Sequence, residues 1–149
     1  MANPLYGSQK FDSMIDKVHD SLADYSMTAT HSGDGVGSAK IKEGLIELRI
    51  DDLGSTETCT FTIPFDFEIQ DVWIVVPNGE HVGSKTYAVR NNTTAVTSAM
   101  AGSTDKGRVA PSTIDTGQTI FRVGEDDLNV LSSAHADGNV RVYIKYEAI

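Results

Sequence analysis

The chain is 149 residues long, 40% apolar, and carries a formal net charge of −9, with 12 Lys and Arg against 21 Asp and Glu. A single core typically serves ~100–200 residues, so one domain suffices and no covalent staple is needed. The acidic balance and the dispersed basic residues exclude nucleic acid and anionic membrane surfaces as expected partners; the composition suits a soluble β-protein with much surface, or one that completes its core against neighbouring subunits.

Met1-Ala2-Asn3-Pro4-Leu5-Tyr6 has no basic head followed by an apolar core, so no secretion signal is expected. Residues 9–25 carry Phe11, Met14, Ile15, Val18, Leu22 and Tyr25 at helical spacing, one apolar stripe of an amphipathic helix with Ser8 as its N-cap. The opposite face is an acidic ladder, Asp12, Asp16, Asp20 and Asp24. Like charges at that spacing repel mildly and Asp is a mediocre helix former, so the helix needs an apolar surface to dock on. Residues 26–40, rich in Gly, Ser and Thr, show no sustained period and read as a flexible linker, or as a segment ordered by a partner.

From Ile41 onward the pattern is strand and turn. Ile46, Leu48 and Ile50 alternate with Glu47 and Arg49, and Cys59, Phe61 and Ile63 alternate with threonines. Cys59 is the lone cysteine; no intrachain disulfide is possible, and a small buried apolar side chain is expected there. Ile69 to Val76 is nearly all apolar, which predicts a strand buried on both faces, between sheet layers or between subunits, with Trp73 packed in the core. Its apolar run, Val72 to Pro77, is far short of the ~18–20 residues of a membrane-spanning helix. Further short strands are expected at Thr86 to Val89, Val109, Thr119 to Val123 and Leu128 to Leu131, with a helical turn or a crossing loop over Thr94 to Gly102. The last strand is the clearest: Val140, Val142, Ile144 and Tyr146 alternate with Arg141, Tyr143 and Lys145, after the turn signal Asp137-Gly138-Asn139. Seven or eight short strands with turns about every 8–12 residues predict an antiparallel β-sandwich, jelly-roll-like, over residues 41–149, preceded by an N-terminal arm of helix and linker over residues 1–40.

No catalytic constellation is visible. His19, His31, His81 and His135 share no metal-ligand spacing, and no serine elbow or phosphate-binding glycine loop occurs. The acidic pairs Asp51-Asp52 and Asp126-Asp127 read as turn charges that keep strand edges soluble, and the glycosylation-like tripeptides at Asn91 and Asn92 read as turn residues. No cofactor and no metal are expected.

The order of elements resembles small phage capsid decoration, or cement, proteins. The resemblance rests on Phe67-Glu68-Ile69-Gln70-Asp71-Val72-Trp73-Ile74-Val75-Val76, on Gly83-Ser84-Lys85-Thr86-Tyr87-Ala88-Val89, and on Asn92-Thr93-Thr94-Ala95-Val96-Thr97-Ser98-Ala99-Met100. Gly124-Glu125-Asp126-Asp127-Leu128-Asn129-Val130 and the closing Gly138-Asn139-Val140-Arg141-Val142-Tyr143-Ile144-Lys145-Tyr146 complete it. The opening Met1-Ala2-Asn3-Pro4-Leu5-Tyr6-Gly7 is similar to starts common among virion structural proteins. These stretches cover about half the chain and are loose patterns of strand, turn and small polar residue. Proteins of that kind are β-sandwiches that often trimerise at threefold positions of an outer shell and have no catalytic residues. The resemblance thus implies a non-enzymatic protein, made in the host cytoplasm, that sits on the outer capsid surface of a virion. Its partners would be the assembled major capsid protein shell and two further copies of itself. The helix is not part of the resemblance. Its stripe Phe11, Met14, Ile15, Val18 and Leu22, with Leu5 and Tyr6 in the arm, is the expected attachment surface to the capsid or a neighbouring subunit; the alternative is that it packs on its own sandwich. A second function class is a ligand-binding β-sandwich, such as a carbohydrate- or receptor-binding tail or fibre domain. That class requires exposed aromatics on one sheet face or a calcium-built loop.

Overall fold

The computed structural model describes residues 25–31, 36–51, 58–62, 64–77, 85–102, 107–133 and 139–149. They are all β, with no helix among them. Twelve strands follow in order: β1 Tyr25–His31, β2 Val36–Lys42, β3 Leu45–Asp51, β4 Thr58–Thr62, β5 Phe67–Val75, β6 Thr86–Asn91, β7 Thr94–Ala95, β8 Met100–Ala101, β9 Arg108–Val109, β10 Ile120–Phe121, β11 Asp127–Ser132 and β12 Asn139–Ala148. All pairings are antiparallel.

The strands form two sheets that meet at β1. Tyr25 to Thr28 pairs with β2, whereas Ala29 to His31 pairs with β4. The first sheet runs β10-β5-β12-β3-β2-β1, with β9 beside β5; the second runs β1-β4-β11-β6-β7, with β8 beside β6. One buried cluster takes side chains from both sheets. Ile46, Leu48, Ile50, Val72, Ile74, Val142 and Ile144 come from the first, and Cys59, Phe61, Tyr87, Val89, Leu128 and Val130 from the second. An antiparallel sheet with one buried face alternates inward and outward residues; β3, β6 and β12 do so throughout, and β5 does so on either side of one break. The sheets also join at the opposite margin, where Asn91 Nδ2 at the end of β6 donates to the Ile120 carbonyl of β10 at 2.9 Å.

Three expectations are corrected. The linker expected over residues 26–40 contains most of β1 and of β2, both paired along their length, and the expected boundary at residue 40 falls inside β2. Ala39 and Ile41 are buried and Ser38 and Lys40 exposed, so the alternation is present but is written in small residues. The strand arises from ladder hydrogen bonds to β3 across the tight turn at Gly44, whose φ of 77° favours glycine. The second correction concerns β5, which is buried on one face only within its own chain, not between two sheet layers. Phe67 and Ile69 point inward, then Val72, Ile74 and Val76, whereas Asp71, Trp73 and Val75 are half-buried on the outer face. The inward parity switches at Gln70, because the register with β12 passes from Tyr146↔Ile69 to Lys145↔Asp71. This β-bulge keeps both ends of a nine-residue strand facing the core. Trp73 is therefore not a core residue. The helical turn considered over Thr94 to Gly102 is absent: the segment is a loop over residues 96–99 between two two-residue strands, β7 and β8, on the edge of β6.

Tyr25 opens β1; the remainder of the expected helix, and with it the Asp ladder, lies outside the described residues.

Candidate interaction face

The outward residues of the two sheets differ in kind. On the second sheet they are mostly small, Thr58, Thr60 and Thr62 on β4 and Thr86 and Ala88 on β6, with Arg90 on β6 and Leu131 on β11 the larger ones. On the first sheet they are long, charged and aromatic, and the strand register arranges them in rows. One row crosses four strands, from Trp73 on β5 through Tyr143 on β12 and Glu47 on β3 to Lys40 on β2. The next row holds Arg108 on β9, Val75, Arg141, Arg49 and Ser38, and Arg108 reaches diagonally to Trp73.

The aromatic end of this face is pre-ordered. Trp73 and Tyr143 are a direct cross-strand pair, with centroids 5.6 Å apart and planes within 13°. β9 and β12 flank β5 on opposite sides, so Arg108 meets the other face of the indole, its guanidinium carbon 4.1 Å from the ring centroid. Arg108 is held there by Asp71, Nη2 to Oδ2 at 2.8 Å. Trp73 thus lies in a stack with Tyr143 and Arg108 and remains half-buried.

The other end is a cleft of about 310 Å³, lined by Ser38, Lys40, Glu47, Arg49 and Arg141. Arg49 and Arg141 stand directly opposite each other in the β3–β12 register. Like charges so placed repel. Each has a carboxylate near it, but at long range: Arg49 Nε to Asp51 Oδ1 is 3.6 Å and Arg141 Nε to Glu47 Oε1 is 3.9 Å. Arg141 Nε and Asp51 Oδ1 are buried without a hydrogen bond.

The expected attachment residues Leu5, Tyr6, Phe11, Met14, Ile15, Val18 and Leu22 lie outside the described residues, as do His19, His81 and His135. Cys59 is fully buried and desolvation pushes its thiol up to about 12, so it is a neutral apolar packing group. The acidic turn at residues 125–127 is built into the fold. Asp126 Oδ2 accepts from the Arg122 amide at 2.8 Å, and its Oδ1 accepts from Asn92 Nδ2 at 3.2 Å. Among the described residues no group of three His, Cys, Asp or Glu is placed to hold a metal ion.

The Arg108–Trp73–Tyr143 stack and the cationic cleft were missed in the sequence. The basic residues look scattered along the chain because β2, β3, β9 and β12 each contribute only one or two. Their signal was the outward position within each alternating strand, and in β5 it was masked by the bulge. No protein-family model matches the chain, and no curated protein matches it.

Proposed function

We propose that this protein is a non-enzymatic structural protein of a virion, a jelly-roll-like β-sandwich that decorates and stabilises the capsid by binding assembled shell subunits. The observation that carries the reading is the outward stack of Arg108, Trp73 and Tyr143. Trp, Tyr and Arg are the residue types that dominate binding energy in protein interfaces. Here they are already ordered by one another and by Asp71, so docking on them costs little side-chain entropy. The half-buried Val75 beside Trp73 extends the patch, and a neighbouring subunit or the shell completes its burial. The pattern of strands and turns shared with capsid cement proteins supports the same reading, with three copies meeting on the lattice. A protein that binds only the assembled shell stabilises it by mass action, and symmetry-repeated modest contacts add avidity.

Co-sedimentation with purified shells lacking the protein tests this. The full chain should pellet with the shells and raise their melting temperature. Trp73→Ala with Arg108→Ala should weaken pelleting, and so should removal of residues 1–24, a cut that leaves β1 whole. A full-length protein that stays in the supernatant at all shell concentrations would overturn the proposal.

A further inference from the structure

The cleft at the other end of the same face is chemically unlike the aromatic stack. Three cations, Lys40, Arg49 and Arg141, surround it with one carboxylate, Glu47, and one hydroxyl, Ser38. This concentration of positive charge sits in a chain of net charge −9. The two guanidiniums face each other across the β3–β12 ladder, and their carboxylate neighbours are too distant to occupy their donor forks. An anionic group between them would relieve the repulsion and fill those donors.

The remaining groups narrow the ligand. Glu47 repels a ligand that is anionic throughout, but it accepts from hydroxyls, as Ser38 also does. Tyr143 stands beside Glu47 in register. Trp73 from β5 stacks on its ring, and on the β3 side its cross-strand neighbour is Glu47, which lines the cleft. An oxyanion, several hydroxyls and an apolar ring face together describe an acidic sugar. A peptide is disfavoured, because β2, β3 and β12 are interior strands and offer no unpaired backbone for strand addition. The cleft of about 310 Å³ also suits a sugar unit better than an extended segment.

We propose that this cleft binds an acidic saccharide, a sugar unit carrying a carboxylate or sulfate, with Arg49, Arg141 and Lys40 on the anion, Glu47 and Ser38 on hydroxyls, and Tyr143 along the ring. This activity is independent of shell binding, and either can fail without the other.

Calorimetric titration of the full chain tests it, with three probes: oligogalacturonate, a sulfated galactan oligosaccharide, and neutral galacto-oligosaccharide of equal length. At least one acidic probe should bind, more weakly as salt rises, and the neutral one should bind at least about tenfold more weakly. The stronger of the two acidic probes identifies the anion as carboxylate or sulfate. Arg49→Gln with Arg141→Gln should weaken binding about tenfold or more, and Arg49→Lys with Arg141→Lys by less, since charge is kept but the bidentate fork is lost. Tyr143→Leu should weaken it severalfold, and Arg122→Gln, whose partner is Asp66, should leave it unchanged. Near-ultraviolet circular dichroism checks that the arginine variants keep the Trp73–Tyr143 stack. No binding of either acidic probe, equal binding of the neutral one, or binding indifferent to the arginine substitutions overturns the proposal. So does displacement of the sugar by a tetraglutamate peptide of higher affinity, which would make the cleft a site for protein carboxylates.

Discussion

Asn92 shows how much a single side chain can organise. Its φ of 53° places it in the left-handed region, where Asn is tolerated better than most residues. There it closes the β6–β7 turn and pins the acidic loop. Its Oδ1 accepts from the Asp127 amide at 2.9 Å, and its carbonyl accepts from Asn129 Nδ2 at 2.6 Å. Asn92→Ala should lower stability by about 2 kcal/mol in urea unfolding, combining lost hydrogen bonds with backbone strain. Asn92→Gly should cost less, because glycine removes the strain and leaves only the lost bonds. Cys59 makes the opposite point. Its thiol, pushed up to about 12 by burial, should resist a thiol reagent in the native protein at neutral pH and react only as the chain unfolds. Labelling followed across a urea gradient should track the unfolding transition; fast labelling without urea would contradict the buried position. The burial of Cys59 was legible in its alternation with threonines. The left-handed turn was legible only as a cluster of turn-forming residues, since a dihedral angle and a partner thirty-odd positions away leave no local trace.

Strand β5 carries the contrast between core and face within one element. Phe67 is fully buried and stacks on Phe121 at 4.9 Å with planes 4° apart, and Phe65 and Tyr146 close the cluster. Phe67→Ala should cost ~3–5 kcal/mol in equilibrium unfolding, the usual range for deleting a buried aromatic. Trp73→Ala, six positions along the same strand, should cost markedly less while abolishing most of the near-ultraviolet signal. Equal losses would mean that Trp73 is a core residue after all. The apolar composition of β5 made it readable as a strand. Its two faces were not readable by composition, because Trp and Val serve equally well in a core or on an exposed patch. The parity break between Ile69 and Val72 was present in the sequence, and a bulge is its physical meaning.

At the scale of the whole molecule, acid should open the margin near β10. Asp66 accepts from the Val123 amide at 2.8 Å and from the Arg122 guanidinium at 3.2 Å, and these bonds hold its carboxyl below the usual carboxylate range. A group whose folded pKa is depressed adds stability above its unfolded value and loses it as pH falls through the folded one. The melting temperature should therefore decline as pH drops below about 4, the ordinary aspartate range. Asp66→Asn should shallow that decline while leaving the neutral-pH curve parallel to the native one. An unchanged acid limb in the variant would show that Asp66 does not contribute to it.

Local chemistry in the sequence was enough for the β class, for the principal strands β3, β4, β5, β6, β11 and β12, and for the buried set along β3 and β12. Period-two alternation and turn residues act between neighbours in the chain, and they survive being read one residue at a time. What the tertiary structure decided was everything that depends on register. It turned residues 26–31 and 36–40 from expected linker into paired strands, because ladder hydrogen bonds need no large side chain. It moved Trp73 from core to surface through one unpaired residue at Gln70. It brought Lys40, Arg49, Arg141, Tyr143 and Arg108 from four separate strands onto one face. Which residue stands opposite which across a sheet is set by turn geometry and by the packing of both sheets on one core, and no stretch of the chain carries that information alone.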